Sequence, residues 1–194
     1  KYVEPCFEYS TIPFYEGNVD LMGFFQSEKY FSHCKDAIRH HFQIKYGFTK
    51  SFDYSILNKN NKTCRIHVRH GDYLNNPLTN AYHGVLPKEY YIRAIHELYG
   101  EDFEDILFIV CSDDPAWCAN NFQFTKMIIT NEIDIVDMDI QSHCNNCIIA
   151  NSSLSWWGSW LNNNPNKKVV APKNWFKDGK ENTKDLYCDG WIII

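Results

Sequence analysis

No run of apolar residues in this sequence approaches the ~18–20 that a membrane-spanning helix needs. The mean hydropathy is −0.43, so no membrane span is expected in this chain. The first ten residues, Lys1 to Ser10, lack the basic-then-apolar pattern of a secretory signal, and there is no initiator Met. A basic stripe is also missing. The chain carries 19 Lys and Arg against 24 Asp and Glu, for a net charge of −5, which speaks against nucleic acid as a partner. Neither GxGxxG nor GxxxxGK[ST] occurs, so ordinary dinucleotide or P-loop phosphate binding is not supported. The one CxxC, Cys144-Asn-Asn-Cys147, has no second CxxC or HxxxH to complete a zinc site. The one Asp-x-Asp, Asp137-Met-Asp139, falls in the middle of an expected helix. No metal and no cofactor are therefore expected.

What is present is a globular composition: 194 residues, 44% hydrophobic and 22% charged, enough for one domain or one and a fraction. Aromatic content is 16%, with 6 Trp; such rings fill cores or stack on sugars, and the count does not separate the two. Of the 8 Cys, Cys64, Cys111 and Cys147 sit in apolar strand-like runs. Mostly reduced, structural thiols are expected rather than a disulfide scaffold.

The pattern along the chain reads as α/β. Residues 1–22 are expected to be loop and turn, and Gln26 to about Gln43 a helix. The polar run Asn58 to Lys62 is the best boundary. Strands are expected at Cys64–Val68, Asp105–Cys111, Met127–Thr130, Cys147–Ala150 and, last, Lys168–Ala171. Helices should open at Leu86-Pro87, at Asp114-Pro115 with Asp114 as N-cap, at Ile135 and after Asn151. Continuous apolar strands separated by helices imply a Rossmann-like parallel sheet with helices on both faces.

Three polar clusters follow strands, and in such a sheet ligands bind beyond the strands' carboxyl ends. The first is His67-Val-Arg69-His70-Gly71-Asp72-Tyr73. Alternation puts His67 and Arg69 on one side, Arg is the bidentate partner of phosphate, and Asp72 can orient a neighbour or take a proton. The second is Ser112-Asp113-Asp114-Pro115, where Asp114 is an ordinary helix cap and Asp113 is free to meet a ribose or base edge. The third is Asn151-Ser-Ser-Leu-Ser-Trp-Trp-Gly-Ser-Trp160, a serine-rich helix start and so an anion site. Leu154, Trp157 and Leu161 share a face there, which makes Trp157 a core residue. Trp156 and Trp160 either line a sugar pocket or pack on the sheet, with packing favoured. Together the clusters describe a pyrophosphate site made of Arg, hydroxyls and a helix N-terminus.

These segments resemble a known family. Residues 67–73 look like the HxRRGDY motif of the α1,2-fucosyltransferases (glycosyltransferase family 11), 108–117 like that family's FSDDxxW segment, and 151–161 like its NSSFSWWGAWL motif. Further matches are Phe25 to Phe31, Val170 to Phe176 and Asp185-Leu-Tyr187, all in the family's order. The resemblance implies an inverting, metal-independent transferase of GT-B architecture, moving L-fucose from GDP-β-L-fucose to the 2-hydroxyl of a galactose-containing glycan acceptor. By similarity, Arg69 would hold the pyrophosphate and, with His67 and Asp72, form the catalytic set, Asp72 as candidate base. His70, Tyr73, Asp113, Asp114, Asn151, Ser152, Ser153, Ser155 and Trp156 would bind the donor. His70 stands where the family has a second Arg, replacing a permanent charge with a titratable one. The family's Gly-rich GGLGNQ-type segment is not seen, so the chain reads as a C-terminal half. Residues 1–60 would be the end of an acceptor-side domain and 61–194 a donor-binding domain. The alternative is a nucleotide-sugar or glycan-binding module without turnover. A cytoplasmic setting is expected, or the Golgi lumen or a membrane surface if a preceding segment carries an anchor.

Overall fold

The computed structural model describes residues 1–42, 52–59 and 62–194. The expected boundary at residue 60 and the end of the expected first helix at Gln43 lie outside the described residues. Six strands form one parallel sheet: β3 (Thr63–Val68), β4 (Leu107–Ser112), β5 (Met127–Thr130), β6 (Asn146–Ile148), β7 (Val169–Ala171) and β8 (Ile192–Ile193). Their order across the sheet is β5-β4-β3-β6-β7-β8. Relative to the first of the six, this is the 3-2-1-4-5-6 order of a doubly wound nucleotide-binding fold, and the order reverses between β3 and β6. A separate two-residue parallel pair, β1 (Tyr2–Val3) with β2 (Leu21–Met22), ties down the ends of the N-terminal loop.

The strand sequences explain the layering. β3 and β4 are buried at every position, as strands covered on both faces are, although β3 carries Arg65 and His67 among its apolar residues. Cys64, Ile66, Val68, Phe108 and Val110 pack with Tyr91, Ile95 and Leu98 of α5 (Lys88–Tyr99) and Cys118 of α6 (Pro115–Asn121). On the other face, Leu107 and Ile109 meet Val136 and Ile140 of α7 (Asp134–His143). Cys147, Ile149, Val169 and Ala171 meet Trp156 and Trp160 of α8 (Ser153–Leu161). Gly158 makes the α7–α8 approach possible, because a Cβ there would lie 2.9 Å from Gln141 Cδ.

A charged pair is built into this second layer. Arg65 of β3 is 1% exposed; it binds Asp137 of α7 and donates to Thr130 Oγ1 at 3.0 Å. Thr130 Oγ1 in turn donates to Asp137 Oδ1 at 2.9 Å. Asp137 of the Asp-x-Asp pair is thus the counter-ion of a buried guanidinium.

Four expectations are corrected. The segment 26–42 is not one helix: 3-10 turns at Glu28–Tyr30 and Ser32–Cys34 precede α1 (Lys35–His41). Phe31 and Cys34, with φ of −137° and −127°, break the helical path, and the Phe31 ring packs on Trp156, Trp157 and Trp160. Residues 55–59 form α2 (Ser55–Lys59), and two short helices, α3 (Gly71–Asn75) and α4 (Pro77–His83), lie where the pattern marks no element. The last strand is β8, after Lys168–Ala171. All eight Cys are free thiols, as expected, and Cys64, Cys118, Cys144 and Cys147 are buried.

Candidate functional site

The first cluster leaves the carboxyl end of β3 and the third leaves that of β6, so the sheet sets them side by side at its switch point. A cavity of about 720 Å³ opens there, and Arg69, Asp72, Tyr73, Asn151, Ser152 and Ser153 are among its lining residues. Aromatic rings, including Phe24 and Trp157, form other parts of the wall.

Arg69 is half-buried and doubly paired: NH2 lies 2.7 Å from Asp72 Oδ1 and NH1 3.1 Å from Asp113 Oδ2. Its guanidinium carbon sits 5.7 Å from the Tyr73 ring centre. Asp113 Oδ1 accepts the backbone N–H of His70 at 2.8 Å, which fixes the carboxylate that orients Arg69. Gly71 is required here by contact rather than by φ, since a Cβ would come within 2.4 Å of Asp113 Oδ2. Two carboxylates around one guanidinium is the arrangement an incoming anion must displace.

Across the cavity, α8 starts at Ser152, the N-cap, whose side chain makes no capping bond. The first-turn N–H groups are thus not capped by a serine hydroxyl, and the helix dipole adds partial positive charge at that end. A helix start following β6 and a guanidinium following β3 make a two-sided anion receptor.

The remaining expected site residues are placed as follows. Asp114 caps α6, accepting from Trp117 N at 3.0 Å, and that bond first, then the neighbouring His70, holds its carboxyl below the usual range. Tyr73 donates to the Asn151 carbonyl at 3.0 Å, linking the two strand ends. Asn151 is 1% exposed and donates to the carbonyls of His83 at 3.0 Å and Trp175 at 3.1 Å, while its Oδ1 is buried without a partner among the described residues. His67 is not at the surface of the cavity. It is 3% exposed on the same side of β3 as Arg65, and burial, reinforced by Arg65 and Arg69, pushes its pKa down to about 3. His70 is also buried, with Nδ1 3.3 Å from Asp114 Oδ2 and its ring 4.4 Å from that of Trp117.

The serine helix differs from expectation at Ser155 and Trp157, while Trp156 packs on the sheet, the reading favoured for it. Ser155 is fully buried and donates to the carbonyls of Ala150 and Ser152, at 3.2 and 3.1 Å, so its hydroxyl is spent inside the fold. Trp156 is 2% exposed, and its indole N–H donates to the Leu186 carbonyl at 2.8 Å; it is a core residue with one edge at the cavity wall. Trp157, expected in the core, is instead half-buried, stacked between Phe31 and Phe42 at 5.2 and 5.5 Å. The helix is rotated by about one residue (roughly 100°) from the expected face.

Among the cavity residues outside the three clusters, one is an imidazole. His83, the last residue of α4, lies against the Tyr73 ring at 4.6 Å and 10°. Nothing local in the sequence marks it, because its neighbours come from residues 73, 151 and 176. Among the described residues, no group of three or more His, Cys, Asp or Glu is placed to hold a metal ion, and no helix is long and apolar enough to cross a membrane.

With this geometry in place, the comparisons with known proteins converge. The family model for glycosyl transferase family 11 matches residues 4–194. An O-antigen biosynthesis glycosyltransferase, WbnK, of Escherichia coli is 40% identical over 72% of this chain and 47% of its own length. An alpha-1,2-colitosyltransferase of Escherichia coli is 34% identical over 92% of this chain and 63% of its own. The human galactoside alpha-(1,2)-fucosyltransferase 1 is 24% identical over 73% of this chain and 42% of its own. The chain thus spans under two thirds of these relatives. No solved structure matches. The chain belongs to glycosyl transferase family 11.

Proposed function

We propose that this family 11 chain is the donor-binding part of a transferase that moves L-fucose from GDP-β-L-fucose to the 2-hydroxyl of a galactoside, with inversion. Residues 61–194 form the donor-binding domain, and residues 1–60 end the acceptor-side domain. The observation that carries the reading is the meeting of Arg69, from the end of β3, with the uncapped start of α8, from the end of β6, in one cavity at the switch point.

The pyrophosphate takes the place of Asp72 and Asp113 on the Arg69 guanidinium and lies against the N–H groups of Ser153 and its neighbours. As the bond from sugar C1 to phosphate oxygen breaks, negative charge grows on GDP. A fixed guanidinium and a helix N-terminus stabilise that charge without reorganising. Tyr73 backs the Arg69 guanidinium with its ring and ties the two strand ends through its bond to the Asn151 carbonyl. The rings of Phe24 and Trp157 offer apolar faces to the sugars. His67 and His70 support the strand end from inside and stay out of direct contact with the donor.

A second donor is favoured by one finding, the 34% identity to an alpha-1,2-colitosyltransferase over 92% of this chain. Colitose is L-fucose without its 3-hydroxyl, so the same pyrophosphate site serves both donors. The test is turnover by the full-length protein with GDP-fucose and with GDP-colitose on a galactoside acceptor, following GDP release and the new linkage. Transfer of either sugar to the 2-hydroxyl supports the reading, and the faster donor names the sugar. Guanine-nucleotide binding without transfer would leave a binding module. No binding of GDP at millimolar concentration would overturn the reading altogether.

A further inference from the structure

An inverting displacement needs a base beside the acceptor hydroxyl, and the carboxylate of the first motif, Asp72, is directed at Arg69. We propose that His83 is that base, its Nε2 taking the proton of the acceptor hydroxyl. This rests on the transferase reading above.

Three observations carry it. First, His83 lines the same cavity as Arg69, Asp72, Ser152 and Ser153, and both it and Arg69 lie against the Tyr73 ring. Second, the ring is held in one orientation. It stacks on Tyr73 at 4.6 Å, meets Tyr82 edge-on at 4.9 Å and 88°, and meets Phe176 at 5.5 Å. The His83 carbonyl is held by Asn151 Nδ2 at 3.0 Å. Third, Nδ1 is buried without a hydrogen-bond partner among the described residues, which leaves Nε2 as the nitrogen able to meet a ligand. Packing alone does not need a polar ring here; Phe would fill the aromatic cage without an unpaired nitrogen.

The electrostatics suit the task. Burial lowers the His83 pKa, so the ring is neutral and able to accept a proton at neutral pH, while Asp72 raises it and favours the imidazolium once formed. His83 also ends α4, where the C-terminal dipole favours a cation. The groups around it are Asp72 and Tyr73 from α3, Tyr82 with Glu181 on its hydroxyl, and Lys177 and Asp178 across a shallow pocket on the other side.

The step balances. Nε2 accepts the hydroxyl proton, the hydroxyl oxygen forms the bond to sugar C1, and the C1–O bond to phosphate breaks with its electron pair leaving on GDP. The imidazolium then returns its proton to water.

The experiment measures kcat against pH for the full-length protein with its donor and a galactoside, for wild type, His83→Gln and His83→Ala, alongside GDP affinity. The expected result is a kcat about 10²- to 10⁴-fold lower in both variants with GDP affinity unchanged. The acid limb of the wild-type profile should vanish, and added imidazole should partly restore His83→Ala. Three results would overturn the proposal: His83→Gln within threefold of wild type, an unchanged acid limb, or no imidazole rescue while GDP still binds. A wild type that binds no GDP would instead defeat the transferase reading on which the proposal stands.

Discussion

Replacing Asp137 with Ala should be among the most damaging single changes outside the cavity. The Arg65 guanidinium is 1% exposed; its partners are the Asp137 carboxylate and the Thr130 hydroxyl, and its Nε has no partner among the described residues. The Thr130 hydroxyl is itself held by Asp137. Removing the carboxylate therefore strands a buried cation and frees the residue that supports it. Breaking a buried pair from one side costs about 3–5 kcal/mol, a large share of the ~5–15 kcal/mol that holds a domain together. With a urea m-value of about 2–3 kcal/mol/M, the midpoint should fall by roughly 1–2.5 M. Urea unfolding followed by tryptophan fluorescence measures this directly. The double variant Arg65→Met/Asp137→Leu removes both charges and should recover most of the loss, because the penalty comes from the unpaired ion and not from the missing attraction. An Asp137→Ala protein within 1 kcal/mol of wild type, or a double variant as unstable as the single, would refute the reasoning.

Other consequences are as definite. His67 has a folded pKa of about 3 against an ordinary 6.5, so the unfolded chain binds a proton that the folded one refuses. Stability should fall as pH drops from about 6.5 toward 3, by up to about 1.4 kcal/mol per pH unit, and urea unfolding of His67→Gln should show a flatter slope across that window. Gly158→Ala should cost about 1–3 kcal/mol by forcing Gln141 off its contacts with Ser155 and Ser159 of α8; a thermal midpoint equal to wild type would count against the α7–α8 packing. Thiol titration of the native protein should modify the exposed Cys6 first, while Cys64, Cys118, Cys144 and Cys147 react only on unfolding, since burial pushes their pKa values up. Fewer than eight reactive thiols in the unfolded, unreduced protein would contradict the free-thiol structure.

The sheet was legible because its signal is local. Phe108 to Val110 is apolar at every step, Cys64, Ile66 and Val68 alternate with the buried Arg65 and His67, and Met127–Thr130 sits where the sequence places it. Asp114-Pro115 announced its helix by chemistry alone, the carboxylate on Trp117 N and the proline at N1. The same signal stood at Asn76-Pro77, where Asn76 caps α4, but the helix it opens is two turns long and carries no fully buried residue, so no periodicity reinforces it. β8 is two residues long and exists through its pairing with Val170 and Ala171. At the site, Arg69 and Ser152 were readable from strand-end position. Ser155 was not separable from a ligand-binding serine, because its carbonyl partners lie one turn back along its own chain. Trp156 packs on the sheet as favoured, while Trp157 leaves its expected place in the core because Phe31 and Phe42, distant in sequence, stack on it. His83 was invisible for the same reason: its setting is made by residues brought together only by the fold.

The central claim is that Arg69 and the start of α8 form a receptor for a nucleotide diphosphate. Calorimetric titration of GDP into the full-length protein and its Arg69→Ala variant tests it most directly. Losing an ionic, doubly hydrogen-bonded contact with phosphate should cost about 2–4 kcal/mol, or roughly 30- to 1,000-fold in affinity, with the unfolding midpoint little changed. GDP binding equally tightly to wild type and to Arg69→Ala would contradict the account.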